Sequence, residues 1–313
     1  MRIGLDMMGG DFAPKEACLG VLDFLQRHSD CHLVLLGDKS AIEEGLPNIA
    51  DMPITIIQTE NEIGMHDHPI KAMKEKSTSA MVVGFGLLAK GEIEAFLSAG
   101  NTGVMLVGAS HVIKTIEGLL RPSIPTPVPQ LENNYSLMLD IGINADCKPE
   151  YLNQFAMLGS FYAKEILGYD NPSVALLNIG EEEGKGNILA QATYPLLKEN
   201  TKINFIGNIE GRDLLDNKAD IIITDGFTGN IVLKFAESLY DIIRVKAKVE
   251  SEFLDKFNHR LYAGVPVLGV KKPVVVGHGV SNAMSFAGML DLGRKMIQTK
   301  MCEKMENLFA ESN

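Results

Sequence analysis

At three places along this chain, an apolar run typical of a β-strand ends in a cluster of Gly, Asn, Thr, Ser or Asp, and a helix-like run follows. The clusters are residues 98–103, 178–187 and 224–230. Glycine lets the main chain turn tightly and approach a ligand, and the N–H groups that open a helix are unpaired and partly positive. The first and third clusters share the order Gly, x, Thr/Asn, Gly. The pattern therefore predicts that they form parts of one anion site, for which phosphate is the natural ligand.

Composition restricts the class of protein. The chain has 313 residues, of which 46% are hydrophobic, enough for one large α/β domain or two lobes. Its net charge of −11 argues against general nucleic-acid binding, so an anionic substrate must meet a locally positive pocket. No apolar run approaches membrane-spanning length, which predicts neither export nor membrane insertion. The four cysteines show no C-x-x-C spacing, which favours reduced thiols in a cytosol, and we predict no metal and no cofactor.

Strand-like and helix-like segments alternate almost from end to end. This alternation predicts an α/β fold with a mainly parallel sheet flanked by helices. In such sheets ligands bind beyond the carboxyl ends of the strands, where all three clusters fall. The strand candidates are residues 2–5, 32–36, 54–58, 95–98, 135–140, 173–178, 203–206, 221–224 and 273–276. The helix candidates include residues 14–28, 80–90, 103–116, 150–167 and 187–199.

One segment that departs from this alternation is rich in proline. Residues 121–129 hold four prolines in alternate or near-alternate positions. Proline fixes φ and has no main-chain N–H to donate, so the segment should be extended. We interpret residues 1–313 as a single domain, with a crossover between two lobes near residues 121–130. A plain surface connection fits the same residues equally well.

A second departure is the stretch from Asn230 to Phe257, where apolar residues recur at three-, four- and seven-residue intervals. This spacing predicts one long amphipathic helix or a helical pair. Such a stripe usually packs in a core or a subunit interface. A basic cluster on it could instead meet an acidic partner or an anionic lipid surface, although acidic residues lie close by. The apolar residues are Val232, Phe235, Leu239, Ile242, Val249, Phe253 and Phe257. The basic residues are Arg244, Lys246 and Lys248.

The chain lacks the common signatures of an activated nucleophile or a nucleotide site. It has no G-x-S-x-G elbow, no G-x-x-x-x-G-K-[ST] loop and no H-E-x-x-H pair. The segment Met8–Asp11 follows the first predicted strand but does not complete G-x-G-x-x-G, so it gives little support for a dinucleotide site. The candidates that remain are the anion-binding loops and a few side chains within them.

Five side chains in or near these loops could act on a substrate. Lys185 lies between two glycines, where its ammonium could reach an anionic oxygen or simply be solvated. Asn101 and Asn230 offer amide donors, and each could instead be a helix cap. Asp225 could orient Lys185 or another donor, or merely shape a turn. His278 follows a predicted strand between two glycines, where it could hydrogen-bond a substrate, shuttle a proton or be structural.

At these residues the sequence resembles the PlsX-type phosphate acyltransferases of bacterial phospholipid synthesis, and the match covers nearly the whole chain. Departures are Met7 and Ile143, where the family usually has Ala, and the loosened H-G-S-S pattern after His278. The matching motifs are Asp6–Asp11, Ser98–Gly103, Arg121-Pro122, Leu139–Asn144, Leu176–Asn187, Asn204–Gly211, Asp225–Asn230 and His278-Gly279.

The resemblance implies a cytosolic homodimer that converts acyl-[acyl carrier protein] and inorganic phosphate into acyl phosphate and free carrier protein. It implies a Rossmann-like fold similar to that of phosphotransacetylases and isocitrate-dehydrogenase-like enzymes, with a projecting long helix or helical hairpin. Family members associate peripherally with the membrane. We assign that contact, and carrier-protein docking, to the amphipathic stretch after Asn230.

The implied chemistry suits the candidate residues. Phosphate is already an anionic nucleophile, so no serine or cysteine needs activating and no acyl-enzyme is expected. Our hypothesis places phosphate on two helix openings, with Lys185 countering negative charge, Asp225 orienting a donor and His278 near the leaving sulfur. The predicted phosphate-binding residues are Ser98, Asn101, Thr102, Gly103 and Gly229, and the predicted catalytic residues are Lys185, Asn230, His278 and Asp225.

Two alternatives remain open. A phosphotransacetylase-like enzyme that uses acyl-coenzyme A would share the phosphate pocket. A non-catalytic scaffold could bind phosphate or lipid headgroups through the same loops. We expect an enzyme because a lysine in a buried glycine loop is more than plain anion binding requires.

Overall fold

The computed structural model describes residues 1–132, 135–258 and 263–310. The chain divides into two compact units, Met1–Glu117 with Arg260–Asn313 (the first unit) and Gly118–His259 (the second unit). The strands are β1 (Arg2–Asp6), β2 (His32–Gly37), β3 (Ile54–Gln58), β4 (Ala95–Ser98), β5 (Thr126–Pro129), β6 (Tyr135–Leu139), β7 (Ser173–Asn178), β8 (Asn204–Glu210), β9 (Ile221–Ile223), β10 (Val265–Pro266) and β11 (Val274–Val276).

The helices lie between these strands and after the last one. The helices that end at Val107, Tyr162 and Tyr240 continue as π-helices over Gly108–Ile113, Ala163–Leu167 and Asp241–Lys246. Short 3₁₀ turns occupy Ile49–Asp51 and Gly211–Asp213. The α-helices are α1 (Lys15–Arg27), α2 (Lys39–Gly45), α3 (Pro69–Glu75), α4 (Ala80–Lys90), α5 (Thr102–Val107), α6 (Pro149–Tyr162), α7 (Ile188–Glu199), α8 (Gly226–Tyr240), α9 (Glu252–Asp255), α10 (Ala283–Gln298) and α11 (Met301–Ala310).

The first unit is built on a six-stranded sheet in the order β10-β11-β4-β1-β2-β3. Strands β11, β4, β1, β2 and β3 are parallel to their neighbours, and β10 pairs antiparallel at the edge. The central strands are nearly continuous apolar runs because both of their faces are buried. Their carboxyl ends lie at one edge, so the loops after β1, β4 and β11 are neighbours.

The second unit is built on a five-stranded sheet in the order β5-β6-β9-β7-β8. Strands β6, β9, β7 and β8 are parallel, and β5 pairs antiparallel with β6 at the edge. The proline-rich segment is therefore extended, as expected, but part of it is an edge strand rather than a bare connection. An edge position accommodates Pro127 and Pro129, which cannot donate to a ladder.

The stretch after Asn230 forms two helical pieces. Helix α8 continues as a π-helix over Asp241–Lys246, and the short helix α9 follows. Arg244 Nε donates to Asp255 Oδ1 at 2.6 Å, which ties the two pieces together. Within the part of the chain that the structure describes, no helix has both the length and the apolar content needed to cross a bilayer.

The apolar stripe on this stretch is largely outside the core. Val232 packs against a buried cluster of the second unit, whereas Phe235 is 65% exposed. The core alternative is therefore wrong for the exposed part of the stripe, because those side chains are open to solvent. The exposed members are Phe235, Leu239, Ile242 and Val249.

Candidate active site

In the first unit, the loops after β1 and β4 are joined by a buried carboxylate. Asp6 lies at the end of β1, and its Oδ2 accepts a hydrogen bond from Ser98 Oγ at 2.6 Å. Ser98 Oγ in turn accepts from Gly100 N at 2.9 Å, and Asp6 Oδ1 accepts from Met8 N at 3.0 Å. Burial raises the pKa of Asp6, while these hydrogen bonds oppose the rise. The Ser98 hydroxyl is fully buried and its proton points to Asp6 rather than to a ligand.

The glycines after β1 let these loops pack against each other. A Cβ on Gly9 would lie 2.6 Å from Gly100 N and 2.7 Å from Asp6 Oδ2, so no side chain fits there. Gly10 has φ of 104°, which favours glycine. Asp11 N donates to Gly279 O at 2.7 Å, which brings in the loop after β11. The Met8–Asp11 segment therefore contacts both neighbouring loops, the one after β4 and the one after β11.

Asn101 caps α5 and fixes a second loop. Its Oδ1 accepts from Val104 N at 3.1 Å. Its Nδ2 donates to the carbonyl oxygens of Gly64, Met65 and Asp67 at 3.0–3.1 Å. The side chain is only 5% exposed, so its amide is committed to the protein. Phosphate binding at this loop, which stays a prediction, would use other groups: the exposed Thr102 and the N–H groups of Thr102 and Gly103, which precede the first intrahelical bond.

His278 is exposed at the carboxyl end of β11. Its Nδ1 accepts a hydrogen bond from Val280 N at 3.3 Å, and Ser281 Oγ accepts from the His278 main-chain N–H at 3.2 Å. A neutral imidazole whose Nδ1 accepts carries its proton on Nε2. The ring is thus set up to present an N–H donor.

The second unit repeats the carboxylate arrangement with other partners. Asp140 follows β6 and is fully buried. Its oxygens accept from Ile141 N at 2.8 Å, Asn144 N at 2.7 Å and Asn144 Nδ2 at 2.9 Å. Burial raises the pKa of Asp140, and the hydrogen bonds oppose that rise. The N–H groups of the loop after β6 therefore converge on the carboxyl group of Asp140.

Helix α8 is packed tightly on that loop through its glycines. A Cβ on Gly226 would lie 2.7 Å from Asn144 O, and one on Gly229 would overlap the carbonyl oxygen of Asp140. Gly226 N donates to Asn144 O at 2.9 Å. Only glycine permits this approach of two main chains.

Helix α8 begins earlier than expected, at Gly226 rather than at Asn230. Asp225 is its cap: Oδ1 accepts from Thr228 N and Oδ2 from Thr228 Oγ1, both at 2.8 Å. Gly229 N already donates to Asp225 O at 2.9 Å, so placing Gly229 and Asn230 at the helix opening was wrong. Asn230 is exposed one turn into the helix, where its side chain lies against Gly142. The predicted roles of Gly229 and Asn230 in phosphate binding and catalysis remain predictions.

The Lys185 loop is exposed, which corrects the expectation of a buried glycine loop. Its main chain is held by Asn178 Nδ2, which donates to Lys185 O at 3.1 Å, and by Gln191 Nε2, which donates to Gly184 O at 3.1 Å. The Lys185 side chain is 50% exposed, with Nζ 3.9 Å from Glu182 Oε1. An acidic run and polar neighbours keep this loop in water. The ammonium is therefore available for a ligand.

The structure places the predicted residues in two groups. Ser98, Asn101, Thr102, Gly103 and His278 lie at the carboxyl edge of the first sheet, and Lys185, Asp225, Gly229 and Asn230 lie at that of the second. Sequence reasoning missed Asp6 and Asp140 as the anchors of these loops. A signal was present, because Leu-Asp closes a strand and glycine follows within three residues in both Leu5–Gly9 and Leu139–Gly142.

Comparison with known proteins identifies the family. A family described as "Fatty acid synthesis protein" matches residues 1–304. The "Phosphate acyltransferase" of Dictyoglomus turgidum is 40% identical, over 97% of this chain and 96% of its own. The chain belongs to the PlsX-type phosphate acyltransferases. The resemblance drawn from the sequence motifs is thereby confirmed.

Solved structures confirm the fold class of this PlsX-type chain. A phosphotransacetylase from Streptococcus pyogenes superimposes with a TM-score of 0.65 at 18% identity, covering 97% of this chain and 94% of that one. An isocitrate dehydrogenase from Methylococcus capsulatus gives 0.50 at 8% identity, covering 97% and 87%. The likeness shows a phosphotransacetylase-like α/β fold.

Proposed function

We propose that this chain transfers the acyl group of acyl-[acyl carrier protein] to inorganic phosphate. The products are acyl phosphate and free carrier protein, and acyl phosphate feeds phosphatidic acid and phospholipid synthesis. Family membership supports acyl and phosphate chemistry. The observation that carries the proposal is the glycine-lined helix opening at the carboxyl edge of each sheet, held by Asp6 in one unit and Asp140 in the other.

The reaction proceeds by direct attack of a phosphate oxygen on the thioester carbonyl. The carbon–sulfur bond breaks, and the thiolate leaves with the carrier and takes up a proton. The protein's own nucleophiles are poorly suited to an acyl-enzyme route. The Ser98 hydroxyl is buried against Asp6, and burial raises the pKa of the thiols of Cys18 and Cys147 to about 11 and that of Cys302 to about 12.

Each side chain then has a distinct task. Main-chain N–H groups at the start of α5 and the Thr102 hydroxyl bind phosphate oxygens. Lys185 neutralises charge on phosphate or on the developing oxyanion, and Asn230 donates its amide there. His278 donates a hydrogen bond from Nε2–H to the leaving sulfur and so stabilises the thiolate, whose conjugate thiol has a pKa of about 8.5 and takes its proton from solvent. Asp225 holds the start of α8 so that Asn230 is correctly oriented.

We assign the exposed apolar side chains of the stretch after Asn230 to partner contacts. Exposed Phe235, Ile242 and Val249 offer area for a second copy of the chain, the carrier protein or a membrane surface. A homodimer in the cytoplasm with peripheral membrane association is consistent with these side chains. Replacing Arg244 with Glu and measuring salt-dependent binding to anionic vesicles tests the lipid assignment: unchanged vesicle binding removes it.

Trapping of the product tests the activity. Incubation with palmitoyl-carrier protein and phosphate, followed by hydroxylamine, should yield palmitoyl hydroxamate in proportion to enzyme and phosphate. Absence of hydroxamate at substantial enzyme concentration would favour the non-catalytic scaffold. A clear preference for palmitoyl-coenzyme A over palmitoyl-carrier protein would favour the phosphotransacetylase-like alternative.

A further inference from the structure

A cavity lies beside the loop after β4 in the first unit. It sits beyond the carboxyl ends of β1, β2 and β3, at the N-terminus of α4, and comprises about 480 Å³ of empty space, part of which is open to solvent. Gly9 and Gly100 form part of its wall, so it adjoins the Ser98–Gly103 segment that we propose as the phosphate loop. None of the roles proposed above uses this cavity.

One wall of the cavity offers hydrogen-bond donors. Ser79 lines it, is only 1% exposed, and its hydroxyl has no hydrogen-bond partner among the described residues. Ser79 occupies the N-cap position of α4, yet its side chain makes no capping bond. The first intrahelical bond runs from Val83 N to Ser79 O at 2.9 Å, so the N–H groups of Ala80 and Met81, which also line the cavity, come before it. A buried hydroxyl without a partner is costly, and because Ser79 also lines the cavity, a ligand atom can satisfy its hydroxyl there.

The lining of the cavity also offers acceptors. The ionisable residues that line the cavity among the described residues are all acidic: Asp6, Asp38, Glu60 and Glu62. Asp6 and Asp38 already accept hydrogen bonds from Ser98 Oγ and Ala41 N. Glu60 and Glu62 are exposed at the rim and can accept from a ligand. Four carboxyl groups disfavour a phosphate dianion here, because like charges repel at short range.

A ligand that suits this lining carries an acceptor for the donors at the start of α4 and a donor for the carboxylates. A secondary amide has this arrangement: its C=O can accept from Ser79 Oγ and the α4 N–H groups, and its N–H can donate to Glu60 or Glu62. In the proposed substrate, the arm that carries the acyl thioester contains such amides. The nearest one is separated from the sulfur by only a short hydrocarbon link.

We propose that this cavity binds an amide of the pantetheine arm and so positions the thioester beside the phosphate loop. The inference rests on the proposed function, since that function supplies the arm. Because Gly100 belongs both to the cavity wall and to the phosphate loop, an arm held at Ser79 presents its sulfur end toward Asn101–Gly103. Ser79 is then a positioning residue for the substrate and takes no part in bond breaking.

Ser79→Ala tests the proposal, with Ser160→Ala as the matched control. Ser160 also carries a buried hydroxyl without a partner among the described residues, but it lies near the end of α6 in the second unit. Both variants should fold with a melting temperature at or above that of the wild type, because each loses an unpaired polar group. Ser79→Ala should raise KM for palmitoyl-carrier protein about fivefold to tenfold, the value of one lost hydrogen bond, and leave KM for phosphate unchanged. Ser160→Ala should change neither constant.

A substrate pair makes the test independent of the carrier. Acyl thioesters of N-acetylcysteamine keep the amide nearest the sulfur, whereas thioesters of an alkanethiol of equal length lack it. Wild type should prefer the amide-containing thioester in kcat/KM, and Ser79→Ala should reduce that preference about fivefold to tenfold. An unchanged KM for palmitoyl-carrier protein in Ser79→Ala, or an equal preference in both proteins, would overturn the proposal. Failure of the wild type to form acyl phosphate from palmitoyl-carrier protein would instead overturn the proposed function.

Discussion

Both units fix the loops at the carboxyl ends of their strands, but they use different chemical groups to do so. In each, a buried aspartate at the end of a central strand collects the N–H groups of the following loop, and a glycine lets a neighbouring segment approach. In the first unit side chains join the loops, through Asp6 and Ser98. In the second unit main chains join them, because Gly226 N donates to Asn144 O and Gly229 packs on Asp140.

The difference determines which groups remain for a ligand. The first unit has committed its polar side chains: Ser98 is bonded to Asp6, and Asn101 to three carbonyl groups. In the second unit, the side chains of Lys185 and Asn230 are exposed to solvent. We infer that the first unit supplies a fixed cradle and that the second supplies adjustable side chains. Substitution of the committed side chains Ser98 and Asn101 in the first should therefore affect folding and activity together, and substitution of the exposed Lys185 and Asn230 in the second should affect activity alone.

The largest effect is expected from the glycine on which the second unit depends. In Gly229→Ala the new Cβ would overlap the Asp140 carbonyl, so α8 must move. Overpacking against main chain should lower the free energy of unfolding by about 3 kcal/mol or more, with loss of activity. Denaturant unfolding measures this. In Gly211→Ala the Cβ meets nothing within 4 Å, and stability should change by less than about 1 kcal/mol. Equal stability of the two variants would show that α8 does not depend on this contact.

The clearest test of the difference between the two units compares Asn101→Ala with Asn230→Ala. Asn101→Ala removes the cap of α5 and leaves the carbonyl groups of Gly64, Met65 and Asp67 without their amide donor. We expect a loss of about 2–3 kcal/mol in unfolding free energy. Asn230→Ala should unfold like the wild type and yet turn over at least about tenfold more slowly. A stable Asn101→Ala protein, or an unstable Asn230→Ala protein, would contradict the division between cradle and adjustable side chains.

Lys185→Ala should lower turnover at least about tenfold, or about 1.4 kcal/mol of barrier, because charge on phosphate or the oxyanion is no longer countered. Its melting temperature should stay that of the wild type, since the side chain is half exposed and its nearest carboxylate oxygen is 3.9 Å away. Steady-state hydroxamate formation and thermal unfolding measure the two quantities. Lys90→Ala, an exposed lysine of the first unit, serves as the control. A near-normal rate in Lys185→Ala removes its role.

The smallest effect concerns pH. Burial raises the pKa of Asp6 above 3.8, so the folded protein holds this proton more tightly than the unfolded chain. The stability that this group contributes is complete below 3.8 and is lost as pH rises through the folded-state pKa. Asp6→Asn removes that loss. The melting temperature of the variant, relative to that of the wild type, should therefore increase as the pH rises. Asp51→Asn, on an exposed turn, is the control. A difference that does not vary with pH would show that Asp6 is not desolvated.

Strand and helix periodicity predicted most of both sheets from the sequence. The parallel strands from β1 to β11 lie within a residue or two of their predicted bounds, except β8, which continues to Glu210. The antiparallel edge strands β5 and β10 were missed because one is rich in proline and the other has two residues. The start of α8 was misplaced because Gly229 and Asn230 resemble a helix opening in sequence, whereas Asp225 caps the helix and α8 begins at Gly226. The Asn101 amide donates to carbonyl groups of Gly64, Met65 and Asp67. These residues are distant in sequence, so no local pattern could predict the hydrogen bonds.

The central claim is that the cradle of the first unit, at the start of α5, binds phosphate. A crystal structure of the enzyme with bound phosphate tests it most directly. The account predicts an ion whose oxygens contact the N–H groups of Thr102 and Gly103. A phosphate ion bound elsewhere, with the start of α5 empty, would contradict it.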